Sequence, residues 1–244
     1  MRIDEVLQTI DEGVHDPNIF KAVFMAGSPG SGKTTVSKKL FGGSGLKHLN
    51  VDDFYNLLRQ AERSTGNVEH DYDAAWKKYE KREQNFLDGR LGLIIDGTGK
   101  NPEKMEKVKQ KLEELGYETA MVFVNTSLET SIRRAEERAR NPNSVDYGRR
   151  PDSHFIKDTW EKVQRGLGRL QGAFGERFFI VDNNRGDPNL EYVQKSLNKW
   201  LNAPPQSHVA KEWMKNELEA KTKSNLPTSP QSEKTKRDDN ATEK

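Results

Sequence analysis

Cysteine is absent from this 244-residue sequence, and its charges almost cancel, with 40 Lys and Arg against 38 Asp and Glu. The lack of cysteine excludes disulfides and thiolate metal sites and is compatible with the reducing cytosol. A formal net charge of +2 argues neither for nor against a nucleic-acid partner. No apolar run approaches the roughly 20 residues of a membrane-spanning helix, and the first residues lack the apolar segment of a signal peptide. We therefore expect a soluble, cytoplasmic protein.

The most informative stretch is a glycine-rich segment that fits the P-loop pattern G-x-x-x-x-G-K-[ST]. An apolar run of strand length precedes it, and a helix-like segment follows it. The predicted nucleotide-binding residues are Gly27, Ser28, Pro29, Gly30, Ser31, Gly32, Lys33, Thr34 and Thr35. Glycines let successive backbone N–H groups point at an anion, and the helix that follows adds the positive end of its dipole. We predict a nucleoside-triphosphate site, in which Lys33 reaches the β- and γ-phosphates and Thr34 ligates Mg²⁺.

Apolar segments of strand length alternate with helix-like segments through most of the chain. The predicted strands are 22–26, 46–51, 91–96, 119–124 and 177–181. The predicted helices are 3–14, 34–40, 56–63, 71–87, 101–115, 127–140, 152–170 and 189–201. This alternation predicts an α/β protein with the three-layer α/β/α fold of P-loop NTPases and a mostly parallel five-stranded sheet.

The same pattern divides the chain into four parts. Residues 1–20 form an N-terminal helical extension, and residues 21–202 form the P-loop domain. Residues 203–221 form a linker that carries an isolated helix with Trp213. Residues 222–244 consist largely of Ser, Thr, Pro, Lys and Glu, so we predict a disordered tail.

Phosphoryl transfer needs acidic groups in addition to the P-loop. Asp96 ends the most apolar strand, at the edge where parallel sheets bind ligands, which suits an acid that reaches Mg²⁺. Asp52 and Asp53 end the strand that follows the P-loop helix. We interpret Asp52 as the base that accepts the acceptor's proton, and Asp53 as a helix cap. The alternative is that these acids only cap helices or turns.

Phosphoryl transfer also needs cations over the transferred group, and six arginines flank the polar loop 141–151. They are Arg133, Arg134, Arg138, Arg140, Arg149 and Arg150. Arg134 and Arg138 lie four residues apart and share a helix face. A closing loop would bring one of them to the γ-phosphate. The alternative is a solvated helix in which arginines pair with Glu129, Glu136 and Glu137, and this is the better prediction for any single arginine.

Two further groups of side chains have open interpretations. Asp182, Asn183 and Asn184 follow the last strand and are candidates for part of a nucleobase wall. A stripe of aromatic residues in the helix 71–87 either lines the acceptor site or packs against the sheet, and packing is the commoner use of such a stripe. The stripe consists of Trp76, Tyr79 and Phe86.

With these residues in place, the chain resembles the small P-loop kinases grouped around the kinase half of phage polynucleotide kinase and the zeta toxins. The match covers residues 21–184. It rests on the P-loop, on Asn50-Val51-Asp52-Asp53-Phe54, on residues 94–103 and on the arginine-rich segment 131–140. In that family the first acid of the D-D-aromatic element activates the acceptor, and a lid arginine meets the transferred phosphate. The resemblance places these roles on Asp52 and on Arg138, with Arg134 next.

The resemblance implies a kinase that uses ATP or GTP with Mg²⁺ and phosphorylates a hydroxyl group. A polynucleotide 5′-hydroxyl or a modified base is the leading acceptor, and a nucleotide sugar of the zeta-toxin kind or a small metabolite is the alternative. Two departures count against a polynucleotide: Tyr55 stands where polynucleotide kinase has an arginine that reads a substrate phosphate, and the sequence shows no phosphatase domain. A nucleotide-binding switch with incidental hydrolysis is a rival of another class.

Overall fold

A five-stranded parallel sheet organises the fold in this computed structural model, which describes residues 13–55, 72–144, 147–148 and 152–224. The strands are β1 (Lys21–Ala26), β2 (Lys47–Leu49), β3 (Leu93–Asp96), β4 (Glu118–Asn125) and β5 (Phe178–Asp182). Their order is β2-β3-β1-β4-β5, and each neighbouring pair is parallel. The carboxyl ends therefore meet at one edge, where the P-loop after β1 lies beside Asp96 at the end of β3.

Helices connect the strands, and within the described ranges they follow the predicted pattern. They are α1 (Lys33–Phe41), α2 (Tyr72–Asp88), α3 (Pro102–Glu114), α4 (Leu128–Arg140), α5 (Ser153–Phe174), α6 (Glu191–Leu201) and α7 (His208–Ser224). A 3₁₀ turn, Gly175–Arg177, follows α5. In the part of the chain with described coordinates, no helix combines the length and apolar character needed to cross a membrane.

Two apolar layers cover the faces of the sheet, because successive strand residues point to opposite sides. On one face, Phe24 and Phe123 pack against α5 and α3. On the other face, Val23 and Met25 pack against α1 and α6. The three-layer α/β/α prediction is thus confirmed. Tyr79 and Phe86 of α2 also pack against the first layer, so packing is the correct interpretation of those two aromatic residues.

The segment that follows β2 differs from the prediction. β2 ends at Leu49, and residues 51–55 are already helical, whereas the sequence predicted a strand to residue 51 and a helix from residue 56. The cause is Asn50, whose side-chain Oδ1 accepts the backbone N–H of Asp52 at 2.9 Å and so starts the helix early. The helices predicted at 3–14 and 56–63 lie mostly or wholly outside the described residues.

The helix predicted to be isolated, α7, packs against the body of the protein. Ala210 is fully buried, and the Trp213 ring meets the Phe20 ring edge-on at 5.5 Å. The helix also continues to Ser224, past the predicted start of the tail at residue 222. The division of the whole chain into four parts stays a prediction, because residues 1–12 and 225–244 lie outside the described ranges.

A buried ion pair joins β1 to β4 at the amino edge of the sheet, opposite the P-loop. The Lys21 Nζ atom lies 2.7 Å from Glu118 Oε2, and the two side chains are 1% and 11% exposed. Trp200 Nε1 donates to the same carboxylate oxygen at 3.0 Å, and the Gln206 backbone N–H donates to the other at 2.7 Å. Although burial opposes ionisation, these hydrogen bonds hold the pKa of Glu118 below its usual value.

We expect Glu118→Gln to destabilise the protein strongly, because it leaves the Lys21 ammonium buried without its counter-ion. Removing one partner of a buried pair costs about 3–5 kcal/mol of the free energy of unfolding. Urea unfolding measures this loss. The matched control is Glu103→Gln, which breaks an exposed pair with Arg169 and should cost at most about 1 kcal/mol. Equal losses in the two variants would contradict the prediction.

Candidate active site

The P-loop has a backbone shape that requires its glycines. Gly27, Gly30 and Gly32 have φ angles of 146°, 82° and 89°, in the region that L side chains rarely adopt. Their surroundings are also close. A Cβ at Gly30 would lie 2.2 Å from the Ser131 carbonyl oxygen, and one at Gly32 would lie 2.4 Å from Asn183 Nδ2. The loop is therefore shaped both by its own dihedral angles and by the α4 and β5 segments behind it.

Polar side chains from distant parts of the chain support this loop. The Ser28 and Ser131 hydroxyls lie 2.9 Å apart, and the Thr126 hydroxyl lies 2.8 Å from that of Ser131. The buried Asn183 amide donates to the Ser31 carbonyl oxygen at 2.8 Å. Asn183 is one of three candidates for part of a nucleobase wall, but its amide nitrogen binds the P-loop backbone. The sequence feature that could have indicated this support is the position of Thr126 and Asn183 directly after β4 and β5.

Lys33 begins α1 and points back into the loop. Its Nζ donates to the Gly27 carbonyl oxygen at 2.9 Å, with the Ser28 carbonyl oxygen at 3.5 Å. Burial lowers the pKa of Lys33; Asp96 opposes this effect most, Arg138 adds to the lowering, and Asp52 opposes it weakly. Asp96, Arg138 and Asp52 thus all lie within electrostatic reach of Lys33.

Asp96 is almost buried at the end of β3, with 9% of its side chain exposed. Its Oδ2 accepts from Asn50 Nδ2 at 3.3 Å, and His48 Nε2 lies 3.9 Å from the same oxygen. The other oxygen, Oδ1, is buried without a hydrogen-bond partner. Burial raises the pKa of Asp96; Lys33 and His48 oppose this, and Asp53 and Asp52 add to it.

The residues present fit a magnesium ion carried by a nucleotide. Mg²⁺ prefers oxygen ligands, keeps several waters, and usually binds through one or two carboxylates together with substrate phosphates. Asp96 offers an unpartnered carboxylate oxygen, and Thr34 is exposed in the first turn of α1. Asp96 and Thr34 are the residues that would hold such an ion, and this role stays a prediction.

The two adjacent aspartates have different surroundings. Both are exposed, but Asp53 Oδ2 lies 3.1 Å from His48 Nδ1, while the charge of Asp52 acts on Lys33. The hydrogen bond to Asp53 raises the pKa of His48 against the effect of burial. The prediction that Asp53 caps the helix is wrong, since Asn50 takes that role and Asp53 turns toward His48. The role of Asp52 as the base stays a prediction.

The arginines of α4 fall into two groups. Arg133 pairs with Glu137 at 2.8 Å and Arg140 with Glu136 at 3.0 Å, as the solvated-helix alternative expected. Arg134 instead donates to the backbone carbonyls of Asn183, at 2.7 Å, and Asn184, at 3.2 Å. Its guanidinium therefore ties α4 to the end of β5.

Arg138 lies one turn further along α4. It is exposed, and its charge acts on Lys33 across the P-loop. The assignment of one of these two arginines, Arg134 or Arg138, to the γ-phosphate stays a prediction. Arg149 and Arg150 lie outside the described residues.

Comparison with known proteins agrees with this geometry. The zeta toxin family model matches residues 4–193 of the chain. An adenylate kinase from Symbiobacterium thermophilum is 25% identical over an alignment 122 positions long, which covers 46% of this chain. The match spans 56% of the length of that relative, little more than half.

Solved structures show the same fold at low identity. A putative kinase from Chloroflexus aurantiacus J-10-fl is 17% identical with a TM-score of 0.53, over 76% of this chain and 98% of that one. A chain of the AvrRxo1-ORF1:-ORF2 complex with ATP is 14% identical with a TM-score of 0.54, over 84% of this chain and 72% of that one. Because the family model matches most of the sequence, the chain belongs to the zeta toxin family, and its fold is that of the P-loop kinases.

Proposed function

We propose that the protein is a kinase that transfers the γ-phosphoryl group of ATP or GTP to a hydroxyl group, with Mg²⁺ as cofactor. The observation that carries this proposal is the geometry of the P-loop, in which Lys33 points back into a loop shaped by its glycines, beside the unpartnered Oδ1 of Asp96 at the end of β3. Phosphoryl transfer depends mostly on positioning and on neutralising charge. Two cations and two acids around a P-loop supply both.

Each group has a distinct part in the proposed reaction. The P-loop amides and Lys33 bind the β- and γ-phosphates, which replace the neutral carbonyl oxygens that Lys33 now contacts. When bound, Mg²⁺ neutralises phosphate charge, and Thr34 and Asp96 would hold it. Asp52 accepts the acceptor's proton as the hydroxyl oxygen bonds to phosphorus and the bond to the leaving diphosphate breaks.

Arg138 and Arg134 have different parts in the proposed reaction: Arg138 acts on the charge of the transferred group, and Arg134 on the position of α4. Arg138 stabilises the charge on the oxygens of the transferred group. Arg134 holds α4 in register with the P-loop through its bonds to the end of β5. We assign catalysis to Arg138 first and positioning to Arg134.

For the acceptor we propose a nucleotide sugar or a related anionic metabolite before a polynucleotide 5′-hydroxyl or modified base. Membership of the zeta toxin family supports this order, as does Tyr55 in place of a phosphate-reading arginine. Two lysine–aromatic pairs add support: Lys104 lies 5.2 Å from the Trp76 ring and Lys100 lies 5.6 Å from the Phe155 ring. Paired cations and aromatic faces suit an acceptor that carries both a ring and negative charge.

We expect Asp52→Asn to remove phosphoryl transfer and to spare nucleotide binding, because the amide cannot accept the proton. Losing a general base costs about 10²–10⁴-fold in rate. The measurement follows label from γ-labelled ATP and GTP to a panel of acceptors: 5′-hydroxyl DNA and RNA, hydroxymethylated DNA, and nucleotide sugars. The acceptor that becomes labelled identifies the substrate class.

The matched control for that experiment is Asp53→Asn, which alters the neighbouring aspartate that faces His48. We expect it to lower the rate far less than Asp52→Asn does. The roles would be reversed if Asp53→Asn abolished transfer and Asp52→Asn did not. If no acceptor were labelled and hydrolysis were equal in wild type and Asp52→Asn, the switch interpretation would replace the kinase.

We expect Arg138→Ala to lower the single-turnover rate of transfer by about 10³-fold, the low end of what a catalytic arginine contributes in phosphoryl transfer. Arg133→Ala is the control on the same helix, since Arg133 is exposed and pairs with Glu137. That variant should retain nearly the whole rate. Equal rates in the two variants would remove Arg138 from the mechanism.

A further inference from the structure

Asn50 lies between the two segments that carry the acids of the proposed reaction. It follows β2 and is partly buried. Its Oδ1 accepts the backbone N–H of Asp52 at 2.9 Å, and its Nδ2 donates to Asp96 Oδ2 at 3.3 Å. Its own backbone carbonyl accepts the N–H of Asp53 at 3.3 Å. One amide group therefore contacts both the helical residues 51–55 and the end of β3.

The bond to Asp96 determines how that carboxylate is oriented. The terminal torsion of an aspartate is broad and roughly two-fold, so its oxygens exchange places readily unless one is held. Asn50 holds Oδ2, and the other oxygen, Oδ1, is left buried without a protein partner. Second-shell hydrogen bonds of this kind orient metal-binding carboxylates.

The bond to Asp52 determines where the proton acceptor stands. Because Asn50 binds the Asp52 N–H, the first turn of the helix at 51–55 is fixed to the end of β2. β2 and β3 are neighbouring parallel strands. The same side chain thus sets the position of Asp52 relative to Asp96, although the two residues are 44 positions apart in the sequence.

His48, the other side chain beside Asp96, does not duplicate this arrangement. Its Nε2 is 3.9 Å from Asp96 Oδ2, beyond hydrogen-bonding distance, and its Nδ1 faces Asp53. Serine or aspartate at position 50 would keep an acceptor for the Asp52 N–H but would lack the amide donor to Asp96. Of the side-chain types that cap helices well, asparagine combines both functions.

We propose that Asn50 is a positioning residue that aligns the proton acceptor Asp52 with Asp96, whose free oxygen would face Mg²⁺. This inference rests on the proposed roles of Asp52 and Asp96. It goes beyond them in assigning the alignment of the two acids to one amide, whose donor end and acceptor end act separately.

Two variants separate the two ends of the amide. Asn50→Ser keeps a capping oxygen and removes the amide donor to Asp96, because the hydroxyl of the shorter side chain stays at the cap, whereas Asn50→Ala removes both. Asn189 offers a control with a bond of the same spacing, because its Oδ1 accepts the Glu191 N–H at 3.1 Å one residue before Leu190, the N-cap of α6. Asn189→Ala therefore measures the loss of a side chain–backbone bond at a helix start away from the proposed site.

The first readout is binding of a non-hydrolysable ATP analogue, titrated with Mg²⁺ and with EDTA, together with the melting temperature. We expect Asn50→Ser to keep its melting temperature and its Mg²⁺-free affinity but to lose about 10–100-fold of the affinity gained on adding Mg²⁺. Asn50→Ala should lose the same gain and also melt about 2–4 °C lower, as Asn189→Ala does. In transfer assays, Asn50→Ser should lower kcat by a similar factor and change the acceptor KM little.

Two results would overturn the proposal. In one, Asn50→Ser matches the wild type in both the Mg²⁺-dependent affinity and kcat, which reduces Asn50 to a helix cap. In the other, Asn50→Ser loses Mg²⁺-free affinity and melting temperature together, which indicates a general structural role.

Asp96→Asn tests the proposed function separately. If Asp96→Asn leaves the Mg²⁺-dependent gain intact, the metal assignment to Asp96 has failed, and the proposal for Asn50 fails with it. If Asp96→Asn removes the gain and Asn50→Ser does not, the proposed function stands and the inference about Asn50 alone is wrong. The binding readout needs no acceptor, so failure to identify the acceptor does not affect it.

Discussion

The close approach of three segments to the P-loop backbone is the constraint on which the rest of the structure depends. The Ser131 carbonyl and the Asn183 amide occupy the space that side chains at Gly30 and Gly32 would need, and the Gly27 N–H donates to the Thr98 carbonyl at 3.0 Å. These contacts come from α4, from the end of β5 and from the loop after β3. The anion-binding loop is therefore a product of the whole sheet, and its shape requires β1, β3, β4 and β5 to be in register.

The charges in the site depend on one another in the same way. Burial disfavours the charged form of both Lys33 and Asp96, since it lowers the pKa of the ammonium and raises that of the carboxyl group. Each is the largest opposing influence on the other, so the pair stabilises two charges that would be unfavourable singly. A nucleotide with its metal ion also carries both signs of charge. The paired charges of Lys33 and Asp96 therefore suit such a ligand.

The parts of the site that could be predicted from sequence are those whose geometry is local. The P-loop, the strand that ends in Asp96 and the i to i+4 pairs of α4 follow from patterns within a few residues. Which residue caps the helix at 51–55 depends on where β2 ends, and that is set by pairing with β3 more than 40 positions away. The role of Asn183 depends on contact with Ser31, and the packing of Trp213 depends on Phe20, both across most of the chain. Such contacts leave no periodic signal, which is why the sequence predicts Asp53 as the cap and an isolated helix at α7.

Buried polar groups are satisfied in different ways at the two edges of the sheet. At the amino edge, Glu118 receives hydrogen bonds from Lys21, Trp200 and Gln206, as expected for a buried charge that contributes to stability. Five buried side-chain polar atoms lack a partner within the described ranges, and three of them, on Ser31, Asp96 and Asn183, belong to the P-loop and its surroundings. Buried polar groups are normally hydrogen-bonded, because leaving one unpaired costs about 1–3 kcal/mol. Asp96 Oδ1 lies at the carboxyl edge, where the proposed metal ion would complete its bonding, whereas the charged groups of Lys21 and Glu118 at the amino edge complete each other.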